Sequence, residues 1–307
     1  MKTFFDLESR CSLTFNQSGP YWHLWTPENH QIIFPDKESF IAGMNILAIC
    51  SRLVPKVKII TFQLMSNHLH LTLSGPREEV LRLFSLFKRY LGKYLKGRGL
   101  SVDLSMFEAN QRELCSLQEL RNVITYNNRN GYVVTPDSTP FTYPRGANAY
   151  YYNCFAKSRF RESQSTLSKA ERRALIHSHD SDYLYEPIIT VDGYACPMSF
   201  CSISFGEGIF RCASHYFREI SRNIESQKEI AKELGEQVFY TDDELFSVIL
   251  SICKDKYGGQ KPSLLPAAAK SELALLLHHE YNAGNKQIQR MLRLEASFVN
   301  SLLPPKS

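Results

Sequence analysis

The sequence predicts an α+β protein, with an antiparallel sheet within residues 1–135 and a mainly helical region at its C-terminus. Three observations support this fold class. Up to residue 135, strand-like and helix-like hydrophobic patterns alternate in the order β-α-β-β-α-β-α. The stretch 241–307 carries helical periodicity, and a Pro-, Gly- and Tyr-rich stretch at 136–153 ends the first pattern. At 307 residues the chain is long enough for two domains.

The first elements are a strand, a helix and a hairpin. Residues 20–27 (PYWHLWTP) are rich in the aromatic residues that favour strands. Asp36 then precedes an apolar-periodic stretch that predicts a helix. The runs 57–65 and 68–73 are both strand-like, and the polar break at 66–67 predicts a hairpin between them.

A second helix, a short strand and a third helix follow. Pro76 starts the second helix, which has a continuous apolar stripe, and a short strand is predicted near 105–108. Ser116 and Glu119 have capping-box spacing, and they open a third helix that runs to about Asn128. This order predicts a single antiparallel sheet with helices on one face, the ferredoxin-like arrangement (βαββαβα).

Composition narrows the class of protein. The chain is 43% hydrophobic and 22% charged, which is ordinary for a globular protein. It contains no apolar run long enough to span a membrane, and acid in the N-terminal MKTFFDLESRCSLTF argues against an export signal. The eight cysteines are scattered and form no CxxC pair, which argues against structural zinc. We therefore expect a cytoplasmic protein with reduced thiols.

The excess of positive over negative charge is confined to the first predicted domain. Residues 1–135 hold 16 Lys and Arg against 11 Asp and Glu, and the remainder is neutral, so the whole net charge of +5 lies there. Such clustering favours an anionic partner, most often nucleic acid, although a solvated helix face explains it equally well. The candidate phosphate contacts on the second helix are Arg82, Lys88, Arg89, Lys93, Lys96 and Arg98.

Two histidines lie on the second hairpin strand. Because side chains alternate along a strand, His68 and His70 project to one face while Leu69 and Leu71 point into the core. Two imidazoles so placed can converge on one metal ion, although the motif alone is more typical of structural histidines. From the same alternation we expect that replacing either histidine leaves the core intact.

A tyrosine on the third helix supplies a candidate nucleophile. Tyr126 and Asn130 are four residues apart and share a helix face if the helix persists that far. A tyrosine hydroxyl can attack a phosphodiester when a cation withdraws charge from the phosphate, and an amide oxygen can complete the shell of that cation. Taken alone, the pair also fits a half-buried tyrosine followed by a C-cap asparagine.

Three stretches carry a resemblance to a known family. PYWHLWTPENHQIIFPDKESF, KIITFQLMSNHLHLTL and ELRNVITYNNRNGYV occur in this order within residues 13–135. This region resembles the HUH single-tyrosine transposases, in particular their REP-associated branch, whose hairpin motif is LMPNHVHLL-like. The family usually has Asn-Pro after the tyrosine helix, where this chain has Asn127-Asn128, and a helix that ended there would remove Asn130 from the site.

The resemblance implies a specific chemistry. His68 and His70 would bind Mg²⁺ or Mn²⁺, with Asn130 as the third ligand. Tyr126 would attack the scissile phosphate of single-stranded DNA, at a hairpin in the family's manner, and form a 5′-phosphotyrosine link. Related enzymes use the tyrosine of either the same subunit or a partner, so a homodimer is one of two arrangements that the resemblance allows.

The rest of the chain is less informative. The predicted domains are 1–135, a connecting region of unknown role at 136–240, and a helical domain at 241–307. Residues 285–303 have the spacing of a helix-turn-helix, although a plain helical hairpin fits as well. A second His-x-His, at 177 and 179, trails a basic helix and is expected at the surface. Two functions stay in play: a DNA nicking and joining enzyme, and a catalytically silent DNA-binding regulator.

Overall fold

The computed structural model of the protein describes residues 4–27, 32–133, 142–222, 230–232, 240 and 242–303. The chain divides into two compact units, Met1–Ile230 and Ala231–Ser307. The first unit is mixed α+β, and the described part of the second is helical. In the part of the chain that the structure describes, no helix is both long and apolar enough to cross a membrane.

The first unit contains a small antiparallel sheet. Its order is β2-β3-β1-β4, so that β1 pairs with β3 on one side and with β4 on the other. A separate two-stranded hairpin forms from β5 and β6. The strands are β1 (Tyr21–Trp25), β2 (Lys58–Leu64), β3 (Leu69–Ser74), β4 (Asn110–Glu113), β5 (Thr190–Val191) and β6 (Tyr194–Ala195).

Helices surround this sheet and make up the second unit. Those of the first unit are α1 (Phe4–Asn16), α2 (Lys37–Leu53), α3 (Arg77–Gly97), α4 (Leu117–Val133), α5 (Cys154–Glu162), α6 (Lys169–Ile176), α7 (Pro197–Phe200), α8 (Ile203–Gly208) and α9 (Ala213–Arg222). Those of the second unit are α10 (Asp242–Lys256), α11 (Ala267–Glu280), α12 (Asn285–Leu292) and α13 (Ala296–Leu302).

Several of these elements form where local sequence signals predicted them. Asp36 caps α2 through a capping box with Ser39, whose backbone N–H donates to Asp36 Oδ1 at 2.7 Å. The predicted box before α4 is also present, because the Glu119 N–H donates to Ser116 Oγ at 3.1 Å and Glu119 accepts in return. The predicted hairpin is β2–β3, and the second unit is helical as predicted for 241–307.

Two predicted elements have different boundaries in the structure, and one helix was missed. The fourth strand is Asn110–Glu113 rather than 105–108, because this polar segment joins the sheet through its backbone at the edge of β1 and carries no apolar alternation. Helix α4 continues to Val133 rather than ending near Asn128. Helix α1, near the N-terminus, was not predicted at all.

Helices cover both faces of the sheet, and the expectation of a single covered face was wrong. On one face α2 approaches β2 so closely that a Cβ at Gly43 would lie 3.3 Å from Leu64 Cδ1. On the other face α4 bonds to the sheet through Asn127, whose Nδ2 donates to Thr72 Oγ1 at 2.8 Å. Leu64 and Thr72 point to opposite faces by their register, so the sheet is a middle layer.

The region of unknown role packs against this sheet. The Leu64 N–H donates to the Arg145 carbonyl at 2.9 Å, and the Ala147 N–H donates to the Phe62 carbonyl at 3.1 Å. Further along, the Ser202 N–H donates to the Ile59 carbonyl at 2.7 Å. Segments from 142–202 therefore cover the outer edge of β2, and the first compact unit extends beyond the predicted domain boundary at residue 135.

Candidate active site

The sheet places both predicted metal ligands beneath α4. His70 lies in β3 and His68 directly precedes it, while Leu69 and Leu71 are buried on the opposite face. The imidazole face is buried as well, since His70 is 0% exposed and His68 is 8% exposed. The expectation that replacing these histidines leaves the core intact was therefore wrong, because α4 turns the second face of the sheet into core.

Tyr126 meets these histidines from α4. The rings of His68 and His70 have centroids 5.1 Å apart and are nearly perpendicular. The Tyr126 ring lies 5.7 Å from that of His70, again edge to face, and the tyrosine is 1% exposed. The three residues that the sequence singled out thus lie together, although α3 and β4 intervene in the chain between His70 and Tyr126.

A third histidine, which the sequence analysis missed, belongs to the same cluster. His23 is 1% exposed on β1, and its Nε2 lies 3.4 Å from His70 Nδ1. Its ring stacks on that of His70 with centroids 5.6 Å apart and lies 6.4 Å from the Tyr126 ring. Strand alternation alone gives no sign of this contact, because the β1–β3 register must be known before His23 can be placed diagonally from His70. We call His23, His68, His70 and Tyr126 the histidine cluster.

Asparagines on α4 fix the helix against the sheet. Besides the Asn127–Thr72 bond, Asn128 accepts a hydrogen bond from the Thr61 hydroxyl, and its Nδ2 donates to the Tyr216 hydroxyl at 2.7 Å. Two consecutive residues are thus bonded to two neighbouring strands. These hydrogen bonds prevent α4 from rotating about its axis. They therefore keep Tyr126, the residue before them, directed at the histidines.

The predicted third ligand keeps its place on the helix. Because α4 extends to Val133, residues 126 and 130 are one helical turn apart on the same side. Asn130 is half-buried. The sequence analysis required the helix to continue as far as residue 130 for Asn130 to share a face with Tyr126, and α4 does so.

Of the predicted metal ligands, the structure brings the rings of His68 and His70 together. Within the described residues, no group of three or more His, Cys, Asp or Glu side chains is placed to hold a metal ion. His68 and His70, as a neighbouring pair, supply two nitrogen donors. Nitrogen donors suit Mn²⁺ at least as well as Mg²⁺, which prefers oxygen ligands.

Acidic neighbours neutralise much of the predicted phosphate-binding helix. Arg82 pairs with Glu79, Lys88 with Glu108, Arg89 with Asp180, and Arg98 with Asp36 and Glu38. Lys93 donates to the His177 carbonyl at 3.3 Å, and Lys96 is exposed. The basic residues are therefore at the surface as expected, but four of the six are balanced by a carboxylate.

The second His-x-His motif lies at the surface as predicted. His177 and His179 follow α6, and His177 has a left-handed backbone with φ of 45°. His179 Nδ1 lies 3.1 Å from a carboxylate oxygen of Asp182.

Two short helices form within residues 285–303, as both a helix-turn-helix and a plain helical hairpin predict. Arg293, in the left-handed conformation, ends α12, and α13 begins at Ala296. On α13, Ser297, Asn300 and Ser301 are exposed, and these are the residues that would face DNA if the pair were a helix-turn-helix.

Comparison with known proteins finds no match to any protein-family model, curated protein or solved structure.

Proposed function

We propose that the first unit is a metal-dependent single-stranded DNA endonuclease and strand transferase of the HUH single-tyrosine transposase type. The observation that carries the proposal is the meeting of His68, His70 and Tyr126 in one buried cluster. A phenol next to two imidazoles on a sheet is the arrangement that a tyrosine nucleophile and a bound cation require. All three residues come from one chain, which favours a site completed within a single subunit.

The sheet supports the same assignment. In a ferredoxin-like sheet, two crossover units interleave, so that the first and third strands pair centrally and the second and fourth lie at the edges. The observed order β2-β3-β1-β4, with antiparallel neighbours throughout, agrees with that pattern. We infer that residues 21–113 form a ferredoxin-like core, to which α4 adds the tyrosine.

The proposed reaction is a reversible transfer of a phosphoryl group. The Tyr126 hydroxyl loses its proton and its oxygen bonds to the scissile phosphorus, while the bond from phosphorus to the 3′ oxygen breaks and a 3′-hydroxyl is released. The segment downstream of the break stays linked to the tyrosine through its 5′ phosphate. Attack by a 3′-hydroxyl reverses the step and joins strands without a nucleotide cofactor. A cation held by His68 and His70, with Asn130, would withdraw charge from the phosphate.

One observation favours the alternative of a catalytically silent DNA-binding regulator. His70 and Tyr126 are almost fully buried, so a DNA strand reaches them only if the covering side chains move. In a silent protein the same cluster is simply the polar core between α4 and the sheet. The two functions make opposite predictions about a covalent product.

The deciding experiment is a search for covalent protein–DNA adducts. The protein is incubated with a library of single-stranded DNA hairpins and Mn²⁺, and adducts are scored on denaturing gels. Tyr126→Phe should abolish the adduct and change DNA affinity by no more than about twofold, because it removes one hydroxyl and no phosphate contact. Tyr143→Phe is the matched control, since Tyr143 is also buried and its hydroxyl donates to the Leu64 carbonyl at 2.9 Å.

The outcomes separate the two functions. An adduct in the wild type and in Tyr143→Phe, but not in Tyr126→Phe, supports the enzyme. An adduct that persists in Tyr126→Phe assigns the nucleophile to another tyrosine. DNA binding with no adduct for any hairpin supports the silent regulator.

A further inference from the structure

Both predicted metal ligands have the same ring nitrogen occupied by a neighbour. His68 Nδ1 lies 2.8 Å from Asn67 Oδ1, and His70 Nδ1 lies 3.4 Å from His23 Nε2. An amide oxygen only accepts hydrogen bonds, so the first contact requires a proton on His68 Nδ1. In a neutral imidazole the lone pair is then on Nε2, which is the nitrogen of that tautomer able to coordinate a cation.

We propose that His23 is a positioning residue that gives His70 the same tautomer. His23 Nε2 accepts from His70 Nδ1–H, which places the lone pair of His70 on Nε2, the nitrogen that would coordinate the cation, and Asn67 sets the same tautomer in His68. The inference rests on the proposed function only in taking His68 and His70 as the ligands. Partners of this kind orient a metal-bound imidazole and raise its basicity.

The position of His23 suits orientation rather than coordination. Its ring stacks on that of His70 at an interplanar angle of 23°, and the three histidines do not form a set placed to hold one metal ion. His23 also contacts the Trp25 ring, with centroids 5.1 Å apart. It is therefore packed between neighbouring rings and meets His70 at Nδ1.

Its strand makes that support rigid. β1 is hydrogen-bonded on both sides, to β3 and to β4, and His23 is paired with Thr72 on one and Arg112 on the other. A side chain on an internal strand, 1% exposed, has little freedom to leave its rotamer. The ring of His70 is thereby held at its Nδ1 by a neighbour with little freedom to move.

The test measures Mn²⁺ affinity directly, independently of DNA cleavage. Free Mn²⁺ is followed by electron paramagnetic resonance as the full-length protein is titrated. His23→Phe keeps a ring of similar size but loses the acceptor, and it should weaken Mn²⁺ binding about 10- to 100-fold. His23→Gln restores an acceptor and should recover part of the affinity. His215→Gln is the matched control, because His215 is another buried histidine, whose Nδ1 accepts from the Arg211 N–H at 3.2 Å.

Each result has a defined meaning. Wild-type affinity in His23→Phe, or equal loss in His215→Gln, would show that His23 only fills space and would overturn the proposal. Absence of Mn²⁺ binding by the wild type would also overturn it. If His23→Phe does not fold, His23→Gln and His23→Ala are compared instead. Wild-type Mn²⁺ affinity in both of these variants would overturn the proposal. A third result is possible, in which the wild type binds Mn²⁺, His23→Phe does not, and no DNA adduct forms with either. In that case the positioning role stands and the proposed function fails.

Discussion

The His70 imidazole has no exposed surface, and its neighbours include other rings rather than aliphatic side chains alone. His23 and His68 flank it, and Tyr126 approaches from α4 with its ring perpendicular. Each of these neighbours has a polar atom, so this polar cluster lies in a core position where its hydrogen-bonding groups need partners. Loss of one ring thus affects both the chemistry and the packing.

Alanine variants of the proposed ligands separate these two effects. His68→Ala and His70→Ala should each abolish adduct formation, whereas Asn130→Ala should only weaken it, because water can replace an amide oxygen. Without metal, His70→Ala should lower the free energy of unfolding by about 2–3 kcal/mol, since it opens a buried cavity. Urea unfolding and adduct yield measure the two quantities.

Either of two results would revise this site. Cleavage that survives in the histidine variants would show that the imidazoles are structural and would remove the metal site. Equal loss in all three variants would make Asn130 a ligand as strong as the histidines.

At the scale of elements, α4 is held by polar bonds rather than by an apolar stripe alone. Residues 123–129 are buried without a break, so the middle of the helix has core on every side. Asn128 links the helix to Thr61 on β2 and to Tyr216 on α9. The placement of Tyr126 therefore depends on residues outside the histidine cluster.

Removing the Asn128 amide should destabilise the first unit. Asn128→Ala leaves the buried Thr61 hydroxyl without this acceptor and should lower the free energy of unfolding by about 1–3 kcal/mol. Asn122→Ala is the control on the same helix, where the side chain is half-buried and accepts from Gln118 at 2.8 Å. Its change should stay within about 0.5 kcal/mol. Equal losses from both variants would contradict the anchoring role.

A second interaction that anchors α4 is an ion pair, and it is sensitive to pH. Arg121 is buried and donates to Glu8 on α1 at 2.7 Å, and this hydrogen bond lowers the pKa of Glu8 below its ordinary value. A depressed carboxyl pKa stabilises the fold above the unfolded pKa, and that contribution is lost as the pH falls through the folded pKa. Glu8→Gln should thus cost about 1 kcal/mol at pH 7, a modest value because Glu8 is partly exposed.

Unfolding curves at pH 7 and pH 3 test this ion pair between Arg121 and Glu8. The difference between wild type and Glu8→Gln should shrink at pH 3, as protonation of Glu8 removes the charge that the variant lacks. A difference independent of pH would show that the charge of Glu8 is not what holds α1 against α4.

The elements that sequence could predict are those with a local signal. Each such signal lies within a few neighbouring residues. Examples are the capping boxes at Asp36 and Ser116 and the strand alternation around His68 and His70. In contrast, β4 is polar and joins the sheet by backbone pairing, and the contact of His23 with His70 depends on register between strands. Such long-range pairings have no local pattern, so only the fold itself places His23 in the cluster.

At the scale of the whole molecule, charge is concentrated but largely balanced. All the net charge of +5 lies within residues 1–135, and α3 carries most of the basic excess. Yet Glu79, Glu108, Asp180 and Asp36 each pair with a basic residue of this segment. Asp36 and Asp180 are distant from α3 in sequence, so a count along the chain overestimates the positive field at the surface.

This balance predicts a weak salt dependence of single-stranded DNA binding. Each phosphate contact contributes about 0.7 to the slope of log K against log salt, so six contacts would give about −4 and two contacts about −1.4. We expect the smaller slope, because Lys93 and Lys96 are the two candidates for which the described residues supply no carboxylate partner. Lys96→Gln should reduce the slope by about 0.7, whereas Arg82→Gln, which removes the same charge from the ion pair with Glu79, should leave it nearly unchanged. Fluorescence anisotropy at several salt concentrations measures these slopes, and a wild-type slope near −4 would mean that the ion pairs open and all six residues contact phosphate.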